Sequence, residues 1–144
     1  MPGVMVATDA DWVADEVAAV AAGPGASLRR VRAGVDVLPA VQASLPDLVV
    51  LDLQIGNMGG MAACLNLRLE EGAGRLGHAP VLMLLDRRAD VFLARRSGAE
   101  GWLLKPLDPI RLGRAVRALL EGGTYHDPTD APSSVALTAP AAVG

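Results

Sequence analysis

Three apolar segments of this chain each end in residues that can do chemistry. Residues 48–51 lead into Asp52, residues 4–7 lead into Thr8 and Asp9, and residues 102–104 lead into Lys105. Apolar runs of this length are typical of central strands in a parallel sheet, which is covered on both faces. The C-terminal ends of such strands open into the crevice where ligands bind. We therefore expect two carboxylates and one lysine to converge at this edge, where a buried Asp52 needs a compensating charge.

The rest of the sequence supplies the elements that position these residues. Apolar segments alternate with helical patterns, which gives five β/α units and no internal repeat. The strands are predicted at residues 4–7, 28–31, 48–52, 80–85 and 101–104. The helices are predicted at residues 9–22, 35–44, 61–71, 89–97 and 108–122. The alternation predicts an α/β fold, a doubly wound five-stranded parallel sheet with helices on both faces.

The length and composition are those of one ordinary domain. At 144 residues, the chain can bury roughly two thirds of its unfolded surface. A net charge of -3 gives no overall attraction to nucleic acid. The sequence has neither the roughly 20 apolar residues of a membrane span nor the pattern of a signal peptide. The single cysteine, Cys64, excludes an internal disulfide and is predicted to be a buried structural thiol. We therefore expect a cytoplasmic protein with no nucleic-acid or membrane partner.

The composition changes after the last predicted helix. Pro, Ala, Ser and Thr dominate the C-terminal segment, and no hydrophobic period survives there. We interpret residues 1–122 as the folded domain and residues 123–144 as a flexible tail, too short to be an output domain.

Two longer motifs carry a resemblance to a known family. Residues 52–60 read DLQIGNMGG, and residues 98–106 read GAEGWLLKP. Together with Asp9, and at these separations, they resemble the receiver domain of response regulators over about residues 4–122. The resemblance implies the flavodoxin-like strand order 2-1-3-4-5. It also implies a signalling module of a phosphorelay that acts by protein contact and is not an enzyme.

The resemblance assigns roles to the residues at the strand ends. Asp52 is the implied phosphoacceptor, and Lys105, which precedes a cis proline in the family, is the implied contact of the phosphoryl group. Mg²⁺ is implied at Asp9, at Asp52 and at the backbone carbonyl of Gln54. Because a carboxylate that attacks a phosphoryl donor brings anions together, a divalent cation and a lysine are needed to neutralise them. The structural alternative is a simple ion pair between Asp52 and Lys105.

Three positions depart from the family pattern. Thr8 replaces the first of two acids, so Mg²⁺ binding is expected to be weak. Leu85 replaces a Ser or Thr whose hydroxyl follows the phosphoryl group, and leucine cannot make that hydrogen bond. Asp86 replaces a small residue; it either repels an incoming phosphate or pairs with Lys105, or it simply faces solvent or caps the next helix. These departures predict impaired or unconventional switching.

Two further features bear on how a signal leaves the domain. Trp102 occupies the position of an aromatic residue that swings between exposed and buried rotamers in the family; alternatively, it is a static interface or surface aromatic. Arg111, Arg114 and Arg117 form a stripe on the last helix. The stripe is either a solvated face or part of a docking surface for an acidic partner.

Three functional hypotheses follow. The first is an atypical stand-alone receiver that contacts a histidine kinase or a downstream effector, with homodimerisation as a further option. The second is a pseudo-receiver that binds its partner without phosphate. The third and most remote is a small phosphohydrolase of the haloacid-dehalogenase type, because Asp9 and Asp11 follow the first strand. That chemistry needs a further acidic motif after Lys105, where the helix offers only Asp108 and Glu121.

Overall fold

The computed structural model describes residues 2–21, 23 and 25–127 of the chain. The strands are β1 (Gly3–Ala7), β2 (Ser27–Val31), β3 (Leu48–Asp52), β4 (Val81–Leu85), β5 (Gly101–Leu104) and β6 (Tyr125–His126). The helices are α1 (Asp11–Ala21), α2 (Val37–Ala43), α3 (Gly60–Gly72), α4 (Val91–Arg96) and α5 (Pro109–Leu120). Short 3₁₀ turns at Gly34–Asp36 and Arg88–Asp90 precede α2 and α4.

The described strands form one parallel sheet in the order β2-β1-β3-β4-β5-β6. The predicted α/β class and the order 2-1-3-4-5 are therefore confirmed. All five residues of β3 and of β4 are buried, as expected for central strands with helices on both faces. The sheet places the C-terminal ends of β1, β3, β4 and β5 side by side, which positions the candidate site.

Each face of the sheet has its own hydrophobic core, because alternate residues of a strand point to opposite faces. On one face, Met5, Val49 and Met83 pack with α2, α3 and α4. On the other face, Val50 and Leu84 pack with α1 and α5. Cys64 is buried in the first core, as predicted. Burial raises the pKa of its thiol, and the nearby Arg68 partly opposes this effect. The thiol donates a hydrogen bond to the Ser97 carbonyl at 3.3 Å.

The C-terminal boundary differs from the sequence prediction. The predicted tail begins at residue 123, but Tyr125 and His126 add β6 to the edge of β5, and the side chain of Asp127 is buried. A strand of two residues has no hydrophobic period, which is why pattern analysis missed it. Residues 128–144, the larger part of the predicted tail, lie outside the described residues. Among the described helices, none has the length and hydrophobicity needed to cross a membrane.

Candidate functional site at the C-terminal ends of the strands

Asp52 ends β3 and is almost fully buried, with 2% of its surface exposed. Its Oδ2 accepts a hydrogen bond from the Thr8 hydroxyl at 2.7 Å. Its Oδ1 accepts hydrogen bonds from the Lys105 ammonium at 2.9 Å and from the Gln54 backbone N–H at 3.1 Å. Burial of a carboxylate is costly unless it is paired and hydrogen-bonded, and these three donors provide that compensation. Both oxygens of Asp52 therefore have partners within the protein itself.

Thr8 is held rigidly in the position from which it contacts Asp52. Its backbone N–H donates to the Val31 carbonyl at 3.0 Å, and its own carbonyl accepts from Arg30 on the edge strand. Its hydroxyl also accepts the Ala10 backbone N–H at 3.1 Å, which turns the chain into α1. The side chain is fully buried. Replacing an acid with threonine thus does more than remove a charge, because it supplies a neutral donor to Asp52.

Lys105 bridges two carboxylates. Its Nζ lies 2.9 Å from Asp52 Oδ1 and 2.8 Å from Asp86 Oδ1, and it lies over the Trp12 ring at 5.8 Å from the centroid. The structure therefore contains the predicted pair with Asp86, although Asp86 is also exposed. Burial alone lowers the pKa of Lys105, but hydrogen bonds and negative charge from Asp86 and Asp52 outweigh it, and the pKa is raised. The Lys105 to Pro106 peptide bond is cis.

The loop after Asp52 is held in an unusual backbone conformation. Asn57 and Met58 have φ values of 52° and 72°, in the left-handed region that residues other than glycine rarely adopt. The 3₁₀ turn before α2 supports this loop, since the N–H groups of Gly34 and Val35 donate to the carbonyls of Gly56 and Asn57 at 2.9 and 2.8 Å. A Cβ at residue 34 would lie 1.6 Å from the Met58 carbonyl oxygen, so only glycine fits there.

Asp9 and Asp52 present oxygen donors of the kind that Mg²⁺ prefers. Asp9 is exposed, and its Oδ2 accepts the Gly56 N–H at 3.0 Å, which brings it to the loop after Asp52. Gln54 lies beside Asp52 through its backbone N–H. Within the described residues, however, no three acidic, histidine or cysteine side chains form a metal-binding group. The residues therefore fit Mg²⁺ in donor type but offer one carboxylate fewer than a three-acid cluster.

Leu85 and Trp102 form part of the packed interior. Leu85 ends β4, is fully buried in the core below α3 and α4, and has no hydroxyl to contact a phosphoryl group. Trp102 on β5 is 3% exposed, and its ring stacks on His126 with centroids 4.1 Å apart and planes 6° apart. Arg95 also lies over the Trp102 ring. In this structure Trp102 is thus a buried aromatic covered by the C-terminal segment.

The predicted arginine stripe is divided by an internal contact. Arg114 and Arg117 are exposed on α5, but Arg111 is half-buried and binds both carboxylate oxygens of Asp127 at 2.8 and 2.9 Å. In this structure Arg111 therefore binds a carboxylate of the chain itself, whereas Arg114 and Arg117 face solvent. The sequence prediction missed Asp127 and assigned His126 no role, because both lie beyond the last helix, where no hydrophobic pattern distinguishes them.

Comparison with known proteins identifies the family. The family model described as "Response regulator receiver domain" matches residues 4–117. This chain belongs to the receiver domain family of response regulators, the phosphorelay modules of two-component signalling, in which Mg²⁺ is generally bound at the phosphorylation site. The resemblance inferred from the strand-end motifs is confirmed.

Similar proteins include several DNA-binding response regulators. The chain is 34% identical over 119 residues to the DNA-binding response regulator MtrA of Mycobacterium tuberculosis, a match that covers 81% of this chain and 50% of MtrA. It is 27% identical to the transcriptional regulatory protein AfsQ1 of Streptomyces coelicolor, covering 92% of this chain and 57% of AfsQ1. The chain thus spans about half the length of these curated relatives.

Solved structures agree with the family assignment. A two-component response regulator of the LuxR family from Aurantimonas matches with a TM-score of 0.77 and 25% identity, covering 90% of this chain and 92% of that chain. The chemotaxis response regulator CheY4 of Vibrio cholerae matches with a TM-score of 0.73 and 21% identity, covering 83% and 98%. The second likeness supports the fold alone.

Asp108, one acid that a phosphohydrolase would need, instead caps α5 by accepting the Ile110 N–H at 2.8 Å.

Proposed function

We propose that Asp52 accepts a phosphoryl group and that this receiver domain transmits the signal by an unconventional route. The observation that carries the proposal is the contact between Asp52 and Lys105 at the rim of the sheet. Lys105 is the only lysine in the sequence, since all other positively charged side chains apart from histidine are arginines. An arginine would serve a structural ion pair at least as well, because its planar fork binds a carboxylate bidentately. A compact ammonium group at this one position supports phosphoryl chemistry.

The contacts of Asp52 define what phosphorylation requires. One carboxylate oxygen must leave its protein donors and bond to phosphorus, while the leaving group departs on the opposite side. Lys105 lies on Oδ1 and can follow the incoming phosphoryl oxygens, since its stem is flexible. Mg²⁺, held by Asp9, Asp52 and the Gln54 carbonyl, would neutralise charge during the transfer. With Thr8 in place of a third acid, we infer that Mg²⁺ binds weakly.

Two features support an impaired coupling between Asp52 and the face formed by α4, β5 and α5. Leu85 cannot offer a hydroxyl to the phosphoryl group, and Asp86 already holds Lys105 at 2.8 Å. A ligand shifts a conformational equilibrium only by its different interactions with the two states. Phosphorylation is therefore expected to rearrange the loop after Asp52 and to leave Trp102 and α5 nearly unchanged.

One observation favours a second function, a pseudo-receiver that binds its partner without phosphate. Thr8, Gln54 and Lys105 supply hydrogen-bond donors to both oxygens of Asp52 from within the protein. A site already complete in this way gains less from a phosphoryl group than one with unpaired oxygens. In either case, the partner is expected to be a protein, either a histidine kinase or a downstream effector, or a second copy of the chain.

Phosphorylation of Asp52 can be tested directly. The protein is incubated with acetyl phosphate and Mg²⁺, and its intact mass is followed over time, with Asp52→Asn as the matched control. A single added phosphoryl group in the wild type, absent from the control, supports the first function. No modification at any Mg²⁺ concentration up to tens of millimolar would leave the pseudo-receiver as the function. A capture experiment that compares partners of wild type and Asp52→Asn then reports whether phosphate matters for binding.

The coupling is tested by mapping amide chemical shifts with beryllofluoride and Mg²⁺. In the wild type, we expect changes confined to the loop after Asp52. Leu85→Thr is expected to extend the changes toward Trp102, and adding Asp86→Ala is expected to extend them further, because it removes the competing anion. Large changes across α4, Trp102 and α5 in the unmutated protein would instead identify an ordinary phosphorylation switch.

A further inference from the structure

The C-terminal segment Tyr125–Asp127, here called the strap, is attached to the domain by backbone and side-chain contacts. Two of its backbone bonds, from Tyr125 N–H to the Glu100 carbonyl and from Asp127 N–H to the Trp102 carbonyl, are 3.4 and 3.2 Å long. The carboxylate of Asp127 makes shorter bonds, at 2.8 Å from the Leu104 N–H and 2.8 and 2.9 Å from Arg111. Charge-assisted bonds of this kind are the stronger ones. The strap is therefore anchored by its carboxylate and by the ring of His126 on Trp102.

The topology sets the strap apart from the rest of the sheet. The chain connects β3 to β4 through α3, and β4 to β5 through α4. Both connections move in the same direction across the sheet, and both helices lie on the same face. The step from β5 to β6 continues in that direction, but α5 lies on the opposite face with α1. This connection therefore has the opposite hand to the two before it. Because about 98% of parallel crossovers are right-handed, β6 is an addition to the edge and not a regular β/α unit.

The edge of β5 is shaped to receive a polypeptide backbone. A Cβ on Gly101 would lie 2.7 Å from the Tyr125 carbonyl oxygen and 3.3 Å from the Tyr125 nitrogen, so only glycine allows this approach. Beside Gly101, the carbonyls of β5, the Leu104 N–H, the Trp102 ring and the Arg111 guanidinium all face the strap. Together they recognise an extended strand that carries a ring followed by a carboxylate.

We propose that this edge of β5 is a docking site for an extended acidic segment of a partner protein, and that the chain's own strap closes it in the free protein. A partner strand with a ring and then an aspartate or glutamate, parallel to β5, would make the same contacts. Strand addition of this type draws affinity from main-chain bonds and specificity from the side-chain anchors. The strap then acts as an internal competitor, and its release exposes Trp102. The inference does not depend on phosphorylation of Asp52.

The first test measures whether the strap opens separately from the domain. In the full-length wild type, amide hydrogen exchange at Tyr125, Asp127 and Leu104 is expected to be at least tenfold faster than at Leu84 in the central strand β4, because local opening needs less free energy than global unfolding. Equal exchange at all four amides would show that the strap is integral to the fold and would overturn the proposal. This measurement requires no mutation.

The second test opens the site in the full-length protein and fills it in trans. With Trp12→Phe as background, so that Trp102 is the only tryptophan, Asp127→Asn is expected to increase acrylamide quenching of Trp102 several-fold, whereas Glu121→Gln, which removes an exposed charge nearby, leaves it unchanged. A synthetic peptide of residues 122–127 should then bind Asp127→Asn and restore protection of Trp102. The same peptide with asparagine at its last position should bind at least tenfold more weakly.

Full-length Gly101→Ala provides an independent opened variant, since its Cβ displaces the Tyr125 backbone. The added methyl also obstructs the peptide backbone, so this variant is expected to bind the peptide more weakly than Asp127→Asn does. It is expected to show the same increase in acrylamide quenching of Trp102. Unchanged quenching in both variants, or a peptide that binds wild type as tightly as Asp127→Asn, would contradict an occluded site. Equal binding of the aspartate and asparagine peptides would contradict recognition of the carboxylate.

Discussion

The two ends of the sheet each carry a cluster of charged side chains, and the clusters differ in how completely the protein satisfies them. The Arg68 cluster (Arg68, Glu71, His78, Glu100) lies where β4 and β5 begin. The Asp52 cluster (Asp9, Asp52, Asp86, Lys105) lies where the strands end. Both place carboxylates around one strongly basic side chain, but one is built around an arginine and the other around a lysine.

In the Arg68 cluster, both oxygens of each glutamate have partners. Arg68 binds Glu71 and Glu100 and also donates to the carbonyls of Ala79 and Gly98. His78 bridges the remaining oxygens of the two glutamates at 2.8 and 3.1 Å. The planar guanidinium suits this fixed arrangement, which ties α3 to the start of two strands. The cluster is complete without any external group.

In the Asp52 cluster, only Asp52 is fully enclosed. Asp9 and Asp86 are exposed, and in the described part of the chain their carboxylates contact the Gly56 N–H and Lys105, respectively. Asp52 and Asp86 contact the one lysine, and Asp9 adds a third carboxylate at the neighbouring loop, so acids outnumber the cation in this cluster. Similar residues thus form a closed structural network at one end of the sheet and leave two carboxylates exposed at the other.

The largest expected effect comes from removing the central cation of each cluster. Lys105→Met and Arg68→Met should each lower the free energy of unfolding by about 3 kcal/mol, because carboxylates lose their compensating charge. If Asp9 and Asp52 bind Mg²⁺ as proposed, millimolar Mg²⁺ should restore part of the lost unfolding free energy in Lys105→Met and none in Arg68→Met. Urea unfolding with and without Mg²⁺ at constant ionic strength measures both. If Mg²⁺ restored the free energy of unfolding equally in both variants, or in neither, the distinction between the clusters would be wrong.

Removing the Thr8 hydroxyl, the neutral donor to Asp52, is expected to have a smaller effect on the free energy of unfolding. Thr8→Val keeps the shape of the side chain but leaves Asp52 Oδ2 and the Ala10 N–H without their partner, which should cost about 2 kcal/mol. A double-mutant cycle with Asp52→Asn isolates the contact. Thr8→Val should lower the free energy of unfolding by less in the Asp52→Asn background than in the wild type. An equal decrease in both backgrounds would assign the effect to Ala10 and packing alone.

The raised pKa of Lys105 predicts a loss of stability at alkaline pH. The contribution of a group whose folded pKa is raised is fully present below its ordinary pKa, 10.5 for lysine, and is lost as the pH rises through the folded value. The difference in unfolding free energy between wild type and Lys105→Gln should therefore be constant below about pH 9 and decrease above it. Urea unfolding at increasing pH measures this difference. A difference that grows with pH would be incompatible with a raised pKa.

The smallest effect on stability is expected at Asp86. Because its pair with Lys105 is partly exposed, Asp86→Asn should change the free energy of unfolding by less than about 1 kcal/mol. The same change frees Lys105 for the phosphoryl group, so modification by acetyl phosphate should become faster. Asp15→Asn, an exposed charge on α1, is the control for net charge. A slower reaction in Asp86→Asn would mean that Asp86 assists phosphoryl transfer.

The strand-end pattern was sufficient to predict the fold and the family. The runs before Asp9, Asp52 and Lys105 are long, apolar and correctly spaced, and such local patterns survive in any parallel sheet. They also placed Asp52 and Lys105 at one edge, where the structure brings them within 2.9 Å. The role of Asp52 as phosphoacceptor and the binding of Mg²⁺ stay predictions. The short β6 could not be predicted, because its two residues carry no pattern and gain stability only from contacts with β5.

Local patterns in the sequence specify which elements form and which residues end the strands, and the resemblance to the family gives the order of the strands. How those residues satisfy one another depends on contacts that exist only in the folded protein. The Thr8 hydroxyl meets Asp52 across 44 positions of sequence, and Arg111 turns from a predicted docking surface to the buried Asp127. Such contacts depend on strand register and side-chain direction, which short-range patterns do not encode. A threonine in place of an acid therefore reads as a lost charge in the sequence and as a hydrogen-bond donor to Asp52 in the folded protein.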